Sequence, residues 1–405
     1  MEEENVGKQR RSFLKGSVLF GAAALLQPNL AVGAEQLSEA QEEFKIIAGP
    51  CLQSSFNNSM SVIWVLNKNS ASWVEYGLSP ENLTEKAYGK TALGLRPIGT
   101  INVVQLTDLK PGTTYYYRIV SKDIVDFKPY KLTYGKTLST DVQSFINADV
   151  NKSSVSFLML NDIHDRPKSI PFLLDLDKDS KTKADFVFFN GDIFDYQTDE
   201  PQIIKNFLQP CTDSFAKNTP FVYVRGNHET RGKYCRELPQ YFESIGYNAF
   251  SLGPVRFVVL DTGEDKEDTH PVYADIVDFD GYRRQQAVLL AKEIESKEFK
   301  KARFRVVLMH IPPRYSGDWH GPKHCTEVFE PLLNKGKVDL VLSGHTHSYK
   351  VHEPVKGLNS YPLIIGGGPK EGTRTLTEVT ANQNELVVKM IKDDGTEVGN
   401  YSVRK

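Results

Sequence analysis

Cysteine is scarce in this chain, with 4 copies among 405 residues. So small a number excludes a fold that is built on a disulfide framework, and pairing of any of the four stays open. An excess of one charge is also missing, because 49 Lys and Arg stand against 51 Asp and Glu and leave a formal net charge of -2. A dedicated nucleic-acid-binding protein needs a basic surface, so we expect no nucleic acid partner.

Histidine is missing from the first 163 residues, so any imidazole chemistry belongs to the remainder of the chain. What is present is a globular composition, with 40% hydrophobic and 25% charged residues. That balance excludes a disordered or collagen-like chain. The length is too great for one ordinary domain and sufficient for two.

Residues 1–35 have the composition of an export signal. The pair Arg10 and Arg11 precedes an apolar run at residues 16–26, which is too short to span a bilayer, and small residues at 31–34 offer a cleavage site. We therefore predict a twin-arginine signal, a periplasmic or secreted protein, and no stable membrane span after the signal is removed. An ordinary signal or anchor stays open, because the acidic residues 2–4 offset the basic ones.

Residues 44–140 have the pattern of an all-β domain. Polar and apolar residues alternate at 59–65, and a Pro-Gly turn at 111–112 precedes a β-branched and aromatic run. Short strands at this spacing favour a β-sandwich. We read residues 139–152 as a linker without a clear strand.

From residue 153 the pattern changes to α/β. Five apolar segments of strand length each end in polar residues, and helical stretches lie between them. This arrangement predicts a site at the carboxyl ends of the strands of an α/β domain at residues 153–405.

The polar residues that follow these strands are types that bind metal ions. In an extended segment, residues i and i+2 point to one side, so Asp162 and His164 are expected to face one metal, and Asp192 is placed to bridge two. A single histidine at a strand end is more often a satisfied polar residue, but five such ends in one order make that alternative weak. The candidate metal ligands are Asp162, His164, Asp192, Asn227, His310, His345 and His347.

This ordered set resembles the calcineurin-like metallophosphoesterase superfamily. The resemblance implies a four-layer α/β/β/α domain that holds two metal ions. It assigns Asp162, His164, Asp192 and His347 to the first metal. It assigns Asp192, Asn227, His310 and His345 to the second. It also places His228 beside the substrate phosphate as the catalytic acid or electrostatic stabiliser.

The N-terminal segment resembles the fibronectin type III-like domain that precedes the catalytic domain in purple-acid-phosphatase-like proteins. The signals are the segments 49–53 and 109–118. The metal motifs depart from that family, because the second one ends at Asp195 and Tyr196 stands one place late for a tyrosinate ligand. Two divalent or mixed-valence ions are therefore expected, and Fe, Mn and Zn all stay open.

Together these features predict an exported dinuclear phosphoester hydrolase. A metal-bridging hydroxide would attack phosphorus, and the expected substrate is a small phosphomonoester. Two alternatives stay open: a phosphodiesterase or nucleotidase with the same site, and a surface binding protein without catalysis. The oligomeric state is not indicated by the sequence.

Overall fold

The computed structural model describes residues 42–405 apart from 55, 57, 243 and 244, so the predicted export signal lies outside the described residues. The described part begins with strands β1 (Ile46–Ser54), β2 (Met60–Gly77), β3 (Glu85–Tyr88), β4 (Gly99–Leu106), β5 (Thr114–Lys128), β6 (Lys131–Ser139) and β7 (Gln143–Ile146). Strands and helices then alternate. The strands are β8 (Val155–Leu160), β9 (Phe186–Asn190), β10 (Phe221–Val224), β11 (Asn248–Leu252), β12 (Val255–Leu260), β13 (Phe304–Met309), β14 (Leu340–Ser343), β15 (Lys350–His352), β16 (Leu363–Ile365), β17 (Thr375–Ala381), β18 (Glu385–Lys392) and β19 (Glu397–Arg404). The helices are α1 (Ser169–Leu174), α2 (Lys178–Lys183), α3 (Glu200–Ile203), α4 (Gln209–Ser214), α5 (Phe279–Glu293), α6 (Lys297–Lys301) and α7 (His320–Lys335).

The long strand β2 organises the N-terminal β-rich domain. Its first half pairs with β1 and β4, and its second half pairs with β3 and β5. Trp64 and Val74, one from each half, pack in a single apolar core with Tyr117 and Phe145. Phe145 lies on β7, which pairs with β5, so the segment predicted as a linker contains a strand of this domain. Four residues are too few for a strand pattern to show in the sequence.

The C-terminal domain has the four layers that were predicted. Strands β8, β9 and β10 are parallel to one another, and so are β12, β13, β14 and β16. Phe157 and Phe186 from the first set pack against Phe257 and Leu340 from the second. Helices cover both outer faces, with α1 on β8 and β9, and α5 and α7 on β13 and β14. Strands buried on both faces explain the continuous apolar runs of the sequence.

The two domains share a sheet, because β1 pairs in parallel with β10 at Gln53 and Phe221. The strand order is β19-β18-β17-β8-β9-β10-β1-β2-β5-β6. Ala48, Cys51 and Val65 from the N-terminal domain are buried in the same core as Leu160 and Phe189. Residues 44–405 accordingly form one compact unit.

The four cysteines are free thiols in this unit. Cys51 contacts Thr212 across the domain boundary, with 3.1 Å between Sγ and Oγ1. Among the described residues, every helix is too short or too polar to cross a lipid bilayer.

Candidate metal centre

The predicted ligands follow β8, β9, β10, β13 and β14, and the structure brings them together at the carboxyl ends of both sheets. The backbone is left-handed at five of them, with φ between 50° and 73° at Asp162, His164, Asp192, His345 and His347. Asp162 and His164 do lie close together, but the extended segment that the sequence suggested is not the cause. Tight left-handed turns bring them together instead.

The first donor group consists of Asp162, His164, Asp192 and His347. Nε2 of His164 lies 3.0 Å from Nε2 of His347, and 3.7 Å from Oδ1 of Asp162 and from Oδ2 of Asp192. Nε2 of His347 lies 3.2 Å from Oδ1 of Asp162. Donor atoms take such spacings around one cation when each metal–ligand bond is about 2.0–2.2 Å long.

The second donor group contains Asp192, His310 and His345, with Asn227 beside it. Nε2 of His310 lies 3.0 Å from Oδ2 of Asp192. Nδ1 of His345 lies 3.0 Å from Oδ1 of Asn227. Asp192 is the residue common to both groups, which is the position that the sequence analysis expected for it.

Two buried atoms test whether these residues fit metal ions. Oδ1 of Asp162 and Nε2 of His310 are buried, and neither makes a contact with hydrogen-bond geometry among the described residues. The atoms that approach them, Nε2 of His347 at 3.2 Å and Oδ2 of Asp192 at 3.0 Å, are themselves donor atoms of the centre. Buried polar atoms are normally hydrogen-bonded, so this ring of carboxylates and imidazoles fits cation binding. The donor set, oxygen and imidazole nitrogen, suits Fe, Mn or Zn.

The charges in the centre are strongly coupled. Burial would raise the pKa of Asp162, but contacts with His164 and His347 outweigh it and hold that pKa well below its usual range. Burial disfavours a charge on His310, but Asp192 outweighs it and raises the pKa of His310 to about 10. Burial and the charge of His310 lower the pKa of His345 to about 4. Neutral His345 has a lone pair free for a metal, whereas His310 must release a proton to bind one.

Neighbouring groups orient the donors. Oδ1 of Asp195 lies 2.8 Å from Nδ1 of His164, and the carbonyl of Asn190 accepts from Nδ1 of His310 at 2.7 Å. These contacts direct each Nε2 toward the centre, which is the usual support for a metal-binding histidine. Asp195 thus orients a donor. The side chain of Tyr196 is 55% exposed.

Glu229 is a structural part of the centre that the sequence analysis left without a role. Its Oε2 accepts hydrogen bonds from the backbone N–H groups of Gly226 and Asp192. Its Oε1 accepts hydrogen bonds from those of Ile193 and Phe194. It thereby joins the turns that follow β9 and β10. Burial and the charge of Asp192 raise the pKa of Glu229 to about 7. The signal was its place directly after Asn227 and His228. Nothing in a sequence shows, however, which backbone amides a carboxylate meets.

His228 lies beside the donors without belonging to the two groups that share Asp192. Its ring is 4.5 Å from that of His164, and its Nδ1 lies 2.7 Å from the carbonyl oxygen of Asp195. Its Nε2 lies 3.2 Å from Nη1 of Arg231, a residue that the sequence analysis missed. Burial lowers the pKa of His228.

A further group of donor-type residues lies elsewhere, at Asp280, His320 and His324. The buried guanidinium of Arg283 donates to Asp280 at 2.6 Å and to His324 at 2.9 Å. The charge of Asp280 is therefore already paired, and a lone pair of His324 is in use. We assign this group a structural role.

Comparison with known families identifies two domains in the chain. A model for the calcineurin-like phosphoesterase family matches residues 155–349. A model for the N-terminal domain of purple acid phosphatases matches residues 51–133. Both resemblances stated from the sequence are confirmed.

Two similar curated proteins are plant purple acid phosphatases. Purple acid phosphatase 21 of Arabidopsis thaliana is 25% identical over 331 residues, which cover 75% of this chain and 67% of the relative. Purple acid phosphatase 18 of the same plant is 25% identical over 340 residues, which cover 77% and 69%. The matches thus span about two thirds of these relatives.

A solved structure confirms the fold. The purple acid phosphatase from yellow lupin (Lupinus luteus) seeds superposes with a TM-score of 0.67 at 17% identity, over 88% of this chain and 74% of that one. The superposition includes both the β-rich domain and the α/β domain, as the coverage of this chain requires.

Proposed function

We propose that this metal-dependent phosphoesterase hydrolyses small phosphomonoesters with two metal ions. Support comes from the matches to the calcineurin-like phosphoesterase family and to the N-terminal domain of purple acid phosphatases. The observation that carries the proposal is the pair of donor groups that share Asp192. A carboxylate between two donor groups is what a two-metal centre needs.

The proposed ligands fall into two sets. The first metal would be held by Asp162, His164, Asp192 and His347. The second would be held by Asp192, Asn227, His310 and His345. When bound, two such cations lower the pKa of a water molecule and neutralise phosphate oxygens. The chain itself orients the donors through Asp195 and Glu229. His228 would lie beside the substrate phosphate. Its neutral form accepts a hydrogen bond at Nε2, and once protonated there it would pass that proton to the leaving-group oxygen.

The proposal is tested by metal analysis and a substrate screen on one preparation. Purified protein should contain close to two metal ions per chain. After reconstitution with Mn, Fe or Zn it should hydrolyse phosphomonoesters faster than diesters or nucleotides. Faster cleavage of diesters would favour the phosphodiesterase alternative, and absence of metal-dependent turnover on every ester would favour the binding protein.

We also propose that the protein is exported by the segment at residues 1–35. Support comes from Arg10 and Arg11 before the short apolar run. Twin-arginine transport requires the arginine pair, so Arg10→Lys with Arg11→Lys should retain the protein in the cytoplasm. Fractionation with an antibody measures this, and Lys8→Arg is the control that should leave export unchanged. Export of the doubly substituted chain would indicate an ordinary signal.

A further inference from the structure

The guanidinium of Arg231 is held rigidly beside the proposed metal centre. Nε donates to Oε2 of Glu264 at 2.8 Å, and Nη2 donates to Oε1 of the same carboxylate at 2.7 Å. Glu264 is fully buried, and Nη2 also reaches Oδ1 of Asp265 at 3.2 Å. A two-pronged contact with a buried carboxylate fixes both the place and the plane of the guanidinium.

The remaining nitrogen, Nη1, faces His228. Nδ1 of His228 lies against a carbonyl oxygen, which only accepts, so that nitrogen carries the proton. Nε2 lies 3.2 Å from Nη1 of Arg231, which only donates, so Nε2 is the unprotonated nitrogen. In this arrangement the hydrogen-bond donor available to an anion is Arg231 rather than His228.

We propose that Arg231 is a substrate-binding residue whose Nη1 donates a hydrogen bond to a phosphoryl oxygen located beside His228. The inference rests on the proposed function and adds a contact that the metal ligands do not supply. The side chain of Arg231 is 27% exposed, so solvent reaches part of it. The opposing interpretation is that Arg231 only neutralises Glu264, in which case Nη1 is dispensable.

The test replaces Arg231 and Glu264 together, by Gln at both positions, so that neither charge is left buried without its partner. The matched control is Arg256→Gln with Glu293→Gln, which removes a similar two-pronged pair with distances of 2.8 and 3.1 Å at the other end of β12. The measurements on metal-loaded protein are calorimetric titration with inorganic phosphate, metal content, and KM and kcat for a small phosphomonoester. A hydrogen bond to a charged group contributes about 1.5–3 kcal/mol, so phosphate affinity should fall roughly 10- to 100-fold with unchanged metal content.

The Arg231→Lys variant keeps the positive charge, and it provides a second test if the double variant does not fold. An ammonium group cannot serve Glu264 and the phosphate at once, so Arg231→Lys should also weaken phosphate binding and raise KM. Phosphate affinity equal to that of the wild type in either variant would overturn the inference, and so would loss of metal. Wild-type protein that binds no phosphate and cleaves no ester would overturn the proposed function itself.

Discussion

At the scale of single residues, Asp192 is the carboxylate on which both donor groups depend. Asp192→Asn removes its negative charge while the size of the side chain is kept, so we expect the variant to lose most of both metals. Asp280→Asn is the control, because Asp280 lies in the separate group with Arg283. Elemental analysis of the two variants checks the prediction. Loss of a single metal from Asp192→Asn would show that the carboxylate does not bridge.

His228 gives a second prediction at this scale. His228→Ala should keep its metals, because both of its ring nitrogens have partners outside the two proposed metal sites. Proton transfer from a positioned side chain contributes about 10²–10⁴-fold in rate, so kcat should fall by that factor for alkyl phosphates and less for nitrophenyl phosphate. His352→Ala, which removes a ring stacked on Tyr315, is the control. Loss of a metal ion from His228→Ala would show that His228 is a metal ligand.

The sequence indicated which residues would lie together better than it indicated their surroundings. All seven candidate ligands are found at one end of the sheets, because the types of residue that bind metals are few and each follows a recognisable strand. Glu229 and Arg231 received no role. Both act through contacts that depend on the fold: Glu229 through four backbone amides, and Arg231 through a carboxylate 33 positions away.

At the scale of elements, the turns after the strands decide whether the donors meet. Gly191 has φ of 75° between β9 and Asp192, and a Cβ there would lie 2.5 Å from Nδ1 of His310 and 2.6 Å from the amide nitrogen of Gly226. Only a residue without a side chain allows these turns to approach so closely.

Gly191→Ala and Gly395→Ala form a matched pair for this feature. Both glycines have positive φ, at 75° and 85°, but a Cβ at Gly395 meets no atom within 4 Å. Left-handed strain should cost each variant about 1–2 kcal/mol, measured by denaturant unfolding. Gly191→Ala should lose more than Gly395→Ala, because its Cβ also meets His310 and Gly226. Gly191→Ala alone should also lose metal. Equal metal content in both variants would show that the turn tolerates a side chain.

The strands of the α/β domain were predictable because burial on both faces leaves uninterrupted apolar runs, as in β8 and β9. Strand β7 was missed because four residues show little pattern and pairing with β5 decides their conformation. The left-handed backbone at Asp162 was missed for a related reason: Asp adopts positive φ more often than most residues do, but still only in a minority of cases.

At the scale of the whole molecule, the shared sheet couples the two domains. Ala48 and Cys51 are buried together with residues of the α/β domain, so neither domain can unfold without exposing the core of the other. We therefore expect a single calorimetric transition whose van't Hoff and calorimetric enthalpies agree. Two separate transitions would contradict this, and would show that β1 and β10 part easily.

The position of β8, β9 and β10 within that sheet also constrains how a nascent chain acquires its structure. These strands lie between β1, which is made early, and β17, which is made near the end. Until residue 381 has left the ribosome, the edge of β8 that leads to Asp162 has no neighbour. Exposed strand edges pair readily with other chains. A prematurely terminated chain would therefore present an adhesive edge, and a truncated protein that ends before Thr375 should aggregate however many metal ligands it retains.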